Sequence, residues 1–488
     1  MNKRIIRVEP SNNIFEELGN NTYEYRELLS ELIDNAIASK GGSPLKIIIT
    51  IIIDSNKNPY KFIIEDNAKG ISDDTLSVAI CPAGKQTKNS LNEHGLGMKQ
   101  VIASLGCLES LITKTIKDSY PKKIREFKYG DIEVENLYTE SNMFDDGSGT
   151  KITITNLKPI IDINATNYKR DHVKYLGARY RYYIMKGLDL RIRIQETNQP
   201  QPTHEYKVKQ VQPIYFHPYT RENKPVILNY EISGHDWKAK LTFGYAPKLD
   251  GEYDELDIER PNKFHPYNIS RKKQGLDIIL HNRVILFHQL HELNLVSGEH
   301  SDYNDIRGEI KLLSGFTTAI TKNQIIKSRQ FIECIDKIRN ILTGEQVGPN
   351  NTPKNYLKRK GYPEELPEKL LRDRLAHCLK NNPIFLKHNV KTEYVVDGIE
   401  GYIDILADGE AYEIKARKAR AIDVYQLFMY MDIKEINNGY LVAHDFSTGA
   451  EYAIEKIKDK HNLNIKMVRV DDYPITYPVN NNERDEYF

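Results

Sequence analysis

Cysteine is scarce in this chain and never clustered. Four cysteines in 488 residues, Cys81, Cys107, Cys334 and Cys378, stand far apart, with no CxxC pair and no Cys/His group. That spacing excludes a disulfide-stapled scaffold and argues against a zinc knuckle. Net charge is missing as well: 69 Lys+Arg face 68 Asp+Glu, leaving +1. Any grip on nucleic acid therefore has to come from local patches and not from bulk charge. Long hydrophobic runs are absent too. The longest, around residues 47–53, is broken by Thr50, far short of the ~20 residues a membrane helix needs. Met1 leads into Asn2-Lys3-Arg4 with no apolar stretch, so neither a signal peptide nor a membrane partner is expected, and the expected location is the cytoplasm. Repeats, heptads and low-complexity tracts do not occur. What is present is ordinary for large cores: 40% hydrophobic and 28% charged residues. At roughly 100–200 residues per domain, the length predicts about three domains.

Residues 22–39 read as a helix, because Leu28, Leu32, Ile33, Ala36 and Ile37 form a stripe of 3.6-residue period that Gly41-Gly42 ends. The β-branched run 46–53 predicts a strand covered on both faces, and 61–65 a second strand after a turn at Asn56 to Pro59. Residues 71–97 have mixed polarity, several glycines and no period, and read as a mobile loop. A helix from about Met98 to Leu105 and a strand at 151–155 follow. The block 165–340 is mixed α/β, with an apolar strand at 276–280. Residues 344–367 combine Gly, Pro and Asn with Lys354, Lys358, Arg359 and Lys360, the composition of an exposed, slightly basic linker. Beyond it come a helix at 367–380 opened by proline, two strands, and a helix at about 421–431. This last block is long enough to fold alone. The expected domains are thus 1–164, 165–340, a linker at 341–362, and 363–488.

A first set of chemistry-bearing residues lies near the front. Glu31 and Asn35 are four apart on the first helix and share a face. There Glu31 can take a proton from water while Asn35 offers an oxygen to magnesium, although the same pair also suits a plain solvated face. Asp66-Asn67-Ala68-Lys69-Gly70 follows the second strand. Asp66 at a strand end can accept from an exocyclic amine and Gly70 can let backbone approach a flat ring; a simple turn uses the same residues. His94-Gly95-Leu96-Gly97-Met98-Lys99 sits at a loop-to-helix junction, where glycines aim backbone N–H groups at phosphate oxygens. No Gly-Lys-Ser/Thr follows, so this is not a Walker A loop. Gly147-Ser148-Gly149-Thr150 precedes the strand at 151–155.

In this order the four elements resemble the GHKL ATPase superfamily of gyrase, heat-shock chaperones, histidine kinases and MutL, over about residues 15–160. The resemblance implies a Bergerat α/β sandwich that binds ATP and Mg2+. It implies Glu31 as general base, Asn35 as magnesium ligand and Asp66 as adenine reader. Gly70, Gly95, Gly97 and Lys99 would hold lid and phosphates, with Thr150 near the adenine. Ala68 departs from the family, which usually has the first glycine of its Asp-x-Gly-x-Gly box there, so a slightly altered adenine pocket is expected. The block 165–340 resembles the transducer α+β domain of gyrase, MutL and MORC proteins. Those families place a lysine against the γ-phosphate, which makes Lys322 in Thr321-Lys322-Asn323 the candidate, with Lys327 a neighbour.

A second set lies behind the linker. Gly401 to Leu406 reads as a strand carrying Asp404, a turn at Asp408-Gly409 follows, and Ala411 to Lys415 reads as its antiparallel partner. Alternation puts Glu413 and Lys415 on one side, with Ile414 inward. Asp404 and Glu413 can then share Mg2+, while Lys415 orients water or neutralises developing charge. Gln426 and Tyr430 share a face of the next helix. This pattern resembles the PD-(D/E)xK nuclease superfamily in its RecB-like form, over roughly 363–435. It implies a restriction-endonuclease-like α/β domain, Glu368 as a further metal-side acid and Gln426 as a catalytic helper. Lys415, Arg417, Lys418 and Arg420 make a basic cluster suited to phosphates or simply to solvent.

Together the resemblances imply an α/β multidomain, ATP-controlled DNA nuclease of an anti-phage or restriction type. ATP would close a homodimer, and a further protein partner would fit such a system. Two other readings stay open: a MutL-like repair clamp, whose Asp-Gln-His-type metal site is not found here, and a chaperone-like ATPase with an inactive C-terminal domain.

Overall fold

The computed structural model describes residues 10–42, 44–84, 95–161, 163, 168–218, 220, 222–318, 324–349, 355–357, 359, 366–399, 401–416, 418–461, 463–476 and 481–487. The chain divides into two compact units, Met1–His217 with Glu222–Lys358 and Pro218–Arg221 with Arg359–Phe488. Both are α/β. No helix among the described residues is long and apolar enough to cross a membrane.

Among its described residues the first unit holds two sheets. The eight-stranded one is built from β1 (Lys46–Ile53), β2 (Pro59–Asp66), β3 (Cys107–Lys114), β4 (Lys122–Ile124), β5 (Glu135–Asn136), β6 (Gly149–Thr155), β7 (Asp189–Glu196) and β8 (His204–Lys207). Their order is β5-β4-β3-β6-β2-β1-β7-β8. β1 pairs antiparallel with β2 and parallel with β7, so the sheet draws strands from beyond residue 164. Helix α1 (Tyr25–Ala38) covers one face. Its Leu28, Leu32 and Ile33 share a core with Ile47, Ile49, Ile51 and Ile53 of β1. The opposite side of β1 is only half-buried, against the expectation of cover on both faces. A run of isoleucines signals strand, and what packs on each side is decided elsewhere in the chain.

The expected loop at 71–97 contains a helix, α2 (Asp73–Ile80). Ser72 precedes it, Asp73 and Asp74 occupy its first turn where the helix dipole favours anions, and Leu76 and Ile80 bury. Two apolar residues are too few to show a period. Residues 85–94, including His94, lie outside the described residues. Helix α3 (Gly97–Leu105) then begins one residue before the expected start.

The second sheet, in the order β12-β11-β13-β10-β9, comprises β9 (Ile227–Ser233), β10 (Lys238–Tyr245), β11 (Gly275–Leu280), β12 (Arg283–Gln289) and β13 (Ile306–Ser314). Between β6 and β7 in sequence lie α4 (Lys174–Arg179) and α5 (Arg181–Met185). Helix α6 (Arg329–Thr343) buries Phe331, Cys334, Ile338 and Leu342 in the core of this second sheet. The expected exposed linker is partly core: Tyr356 is 1% exposed and packs in the same cluster with Leu357. Its N–H donates to the Leu342 carbonyl at 2.8 Å, and the Tyr245 hydroxyl donates to its carbonyl at 2.5 Å. The surrounding polar run hid this buried apolar pair.

The second unit is built on β14 (Val390–Val396), β15 (Gly401–Ala407), β16 (Glu410–Lys415), β17 (Asn438–Ala443) and β18 (Asn464–Arg469), hydrogen-bonded in chain order. β14, β15 and β16 are antiparallel, whereas β16, β17 and β18 are parallel. Parallel neighbours need crossovers, which α8 (Ala421–Ile433) and α9 (Thr448–His461) supply. Helix α7 (Glu368–Asn381) puts Leu371 and Leu375 in one core with Ile405 and Ile414, while Leu427 of α8 packs in another with Ala411 and Leu441. Covered from both sides, β16 is buried from Ala411 to Lys415.

Replacing Tyr356 with alanine should destabilise the first unit by about 3–5 kcal/mol, the usual loss for a fully buried aromatic. Urea unfolding of the full chain measures this, and a loss below about 1 kcal/mol would contradict the packing described.

Candidate active sites

Helix α1 starts where the Glu24 N–H donates to Glu27 Oε2 at 2.9 Å, closing its first turn. Its apolar stripe is bound to the sheet, yet its polar residues are withdrawn from water as well. Glu31 is 4% exposed and Asp34 0%. Asn35 lines a cavity of about 660 Å3 together with Asp66, Gly70, Gly95, Lys99 and Thr150. Six residues singled out from four separate sequence elements thus share one space. Glu31 meets another of them, Gly97: a Cβ there would lie 2.2 Å from Glu31 Oε2. The glycine at the start of α3 is what allows the carboxylate to reach the helix end. Lys322 lies outside the described residues.

Each position has a local cause. Asp66 ends β2 opposite Thr150 of β6. Its carboxylate accepts from the Ala68 N–H at 2.9 Å. Burial raises it from 3.8 to about 7, with backbone N–H groups of Ala68 and Thr150 opposing the rise. Gly70 has φ +70°, and a Cβ there would sit 2.1 Å from the Lys114 carbonyl oxygen, so glycine is required. Ala68 is absent from the positive-φ residues and is 1% exposed. Alanine therefore fits where the resemblance led one to expect glycine. Lys99 is 3% exposed and donates to the Gly95 carbonyl at 2.9 Å; burial lowers its pKa to about 8. A phosphate beside it would restore the charge that burial disfavours. Asn35 Oδ1 is buried without a hydrogen-bond partner among the described residues. An orphan amide oxygen of this kind suits a hard cation such as Mg2+.

One organising residue escaped sequence reasoning. Thr113 of β3 is 0% exposed; its hydroxyl accepts from the Ile71 N–H at 2.8 Å and donates to the Gly149 carbonyl at 3.1 Å. It also lies 3.3 Å from Thr150 Oγ1. It ties the Gly70 segment to the strand bearing Thr150. A single threonine in a strand gives no sequence signal, because it matches the alternation around it.

In the second unit Asp404 of β15 and Glu413 of β16 stand one step beyond the Ile405–Tyr412 pair of the antiparallel register, on facing positions. Asp404 Oδ2 accepts from the Ile414 N–H at 2.8 Å. Lys415 Nζ lies 2.7 Å from Glu413 Oε1 and 3.4 Å from Glu368 Oε1. Glu368, at the start of α7, also accepts from the Ala416 N–H at 3.3 Å. Burial, and then the Asp404 charge, pushes Glu413 up to about 8; burial likewise raises Asp404. Burial works against the Lys415 charge, but Glu413, Glu368 and Asp404 outweigh it and raise its pKa. Glu413 Oε2 is buried without a hydrogen-bond partner among the described residues. That orphan oxygen beside a second carboxylate fits a divalent cation. No group of three His, Cys, Asp or Glu side chains at metal-holding spacing occurs among the described residues, so Asp404 and Glu413 form a pair, with Glu368 turned to Lys415.

Gln426 Nε2 donates to the Tyr430 hydroxyl at 3.1 Å, the expected pairing along one face of α8. Part of the basic cluster is already paired with acids. Lys415 is engaged by carboxylates, Lys418 pairs with Asp445 at 2.8 Å, and Arg417 lies outside the described residues. The acids come from the same strand (Glu413), the start of α7 (Glu368) and the segment after β17 (Asp445).

Residues 21–159 match the family model described as "Histidine kinase-, DNA gyrase B-, and HSP90-like ATPase". No curated protein matches the chain. Among solved structures, the N-terminal domain of a DNA repair protein is similar at 11% identity, covering 68% of this chain and 96% of that one with a TM-score of 0.41.

The Asp66 shift has a consequence for pH. A raised carboxyl favours the neutral form in the folded protein, so its contribution to stability is present below 3.8 and is lost as pH rises through about 7. A ligand amine needs the carboxylate, so adenine-nucleotide affinity should run the other way and tighten by about tenfold between pH 6 and 8. Calorimetry of ADP binding to wild type and Asp66→Asn tests this: the variant should lose the step, and an identical pH profile in both proteins would exclude Asp66 as the reader.

Proposed function

We propose that this chain uses an ATPase domain, the histidine kinase-, DNA gyrase B- and HSP90-like segment at residues 21–159, to control a metal-dependent DNA nuclease in its second unit. The nuclease reading rests on one observation: two buried carboxylates, Asp404 and Glu413, on facing positions of adjacent strands with Lys415 2.7 Å from Glu413. Stability alone does not favour such a cluster, since buried carboxylates repel each other and lose hydration. A reaction on a phosphodiester uses it.

At the first site Glu31 takes the proton of the attacking water, held against the start of α3 by Gly97. Asp66 accepts the adenine amine and Lys99 faces the phosphates, with Gly70 and Gly95 admitting the nucleotide to the cavity and Thr150 beside the base. Lys322 is the candidate for contacting the terminal phosphate. At the second site Lys415 orients water or offsets charge developing on the phosphate, Glu368 steadies Lys415, and Gln426 is the proposed catalytic helper from α8. Mg2+, held by Asn35 in one site and by Asp404 and Glu413 in the other, would neutralise phosphate charge and polarise the bond to be cleaved. ATP then closes a homodimer, which brings two nuclease domains to DNA, and hydrolysis releases it. An anti-phage or restriction role in the cytoplasm suits this pairing, in which an idle nuclease has to be kept from host DNA.

Plasmid cleavage with Mg2+ or Mn2+, with and without ATP, tests the reading. Lys415→Ala should cut at least about a hundredfold more slowly, the scale set by removing one electrostatic stabiliser. Glu31→Ala should lose ATP turnover and its effect on cutting. Wild-type cleavage by Lys415→Ala would defeat the nuclease assignment, and intact ATP turnover by Glu31→Ala would defeat the base assignment.

A further inference from the structure

The second sheet of the first unit reaches the helix that carries Glu31 and Asn35. Arg283, the first residue of β12, forms an ion pair with Asp34 of α1, and both side chains are 0% exposed. Placement of Arg283 follows from a two-residue hairpin. His281 and Asn282 have φ +52° and +60°, the twin left-handed pair of a tight turn, and Leu280 pairs with Arg283 across it. The turn is tethered, since the Tyr183 hydroxyl of α5 donates to the His281 carbonyl at 2.6 Å. Asp34 is held from a second side: the Tyr180 hydroxyl lies 2.8 Å from Asp34 Oδ1 and 2.9 Å from the Ser30 carbonyl.

A buried arginine–carboxylate pair is a poor choice for stability, because desolvation of both charges rivals their attraction and apolar packing serves as well. Its value lies in fixing one arrangement. Here the arrangement concerns α1 one turn from Glu31, and the Arg283 charge also acts on Glu31 electrostatically. A second joint, Arg181 of α5 to Asp277 of β11 and Glu309 of β13 at 3.1 and 2.7 Å, fixes the same two layers.

We propose that Arg283 is a positioning residue for ATP hydrolysis: carried by the second sheet, it clamps Asp34 and orients the Glu31 face of α1, so that turnover requires the two layers of the first unit to be docked. The inference rests on the reading of Glu31 as the base. Arg283 lines no part of the nucleotide cavity described above, so its loss should spare binding and slow chemistry.

The test compares ATP turnover and ADP binding in the full-length wild type, Arg283→Gln, Arg283→Lys and Glu31→Ala. Arg283→Gln should bind ADP within about threefold of wild type while kcat falls at least about tenfold, the penalty of a misoriented base. Arg283→Lys, which keeps the charge without the planar fork, should recover part of that loss. Wild-type kcat in Arg283→Gln beside an inactive Glu31→Ala overturns this inference alone. Equal loss of ADP affinity and kcat in both Arg283 variants also overturns it, because that marks simple structural support. If Arg283→Gln does not fold, Arg283→Lys decides: lowered kcat with ADP affinity kept supports the proposal, and unchanged kcat overturns it. Turnover by Glu31→Ala at the wild-type rate defeats the base assignment and the inference with it.

Discussion

The first unit depends on a helix that is buried on more than its apolar side. Helix α1 places Leu28, Leu32 and Ile33 on the sheet, as any amphipathic helix would, while Glu31 and Asp34 are also removed from water and Asn35 leaves Oδ1 without a partner among the described residues. Burying those polar atoms costs stability unless something answers them. Arg283 and Tyr180 answer Asp34. Gly97 gives Glu31 room against the start of α3. Asn35 opens on a cavity shared with Asp66 and Lys99, whose pKa values are both shifted against charge. A site whose ionisable walls are held at such a disadvantage gains most from a ligand that brings an amine to one and phosphate to the other.

The second unit follows the same logic with less cover. Strand β16 is central and buried, so Glu413 and Lys415 are withdrawn from water beside Asp404 and Glu368. Lys415 holds Glu413 and leaves one carboxylate oxygen unanswered. The two units thus present the same kind of feature, a polar atom stranded beside shifted acids or bases. Local packing does not require it in either case.

Much of this is legible in the sequence alone. Glu31 and Asn35 four apart, an Asp at a strand end, Gly-x-Gly at a helix start and Asp…Glu-x-Lys on a hairpin are spacing signals, and spacing is what sequence preserves. Helix α2 escaped because Leu76 and Ile80 alone make no stripe. Tyr356 escaped because it and Leu357 are a lone apolar pair within a polar run, too short to show a period, while its ring packs in the core near Phe243. Arg283 and Thr113 escaped for another reason. Their meaning lies in partners distant along the chain, and neither residue breaks the strand pattern around it. Within the basic cluster, Lys415 and Lys418 are each paired with an acid that the local run of charges does not reveal.

Asn35, whose Oδ1 is buried without a hydrogen-bond partner among the described residues, is the residue on which the proposed Mg2+ site turns. Titration calorimetry of ADP into wild type and Asn35→Ala, each with and without Mg2+, measures that dependence. Mg2+ should tighten binding to the wild type by about tenfold, on the order of 1.4 kcal/mol, and leave Asn35→Ala unchanged. A variant in which Mg2+ still strengthens ADP binding to the wild-type extent would contradict that site.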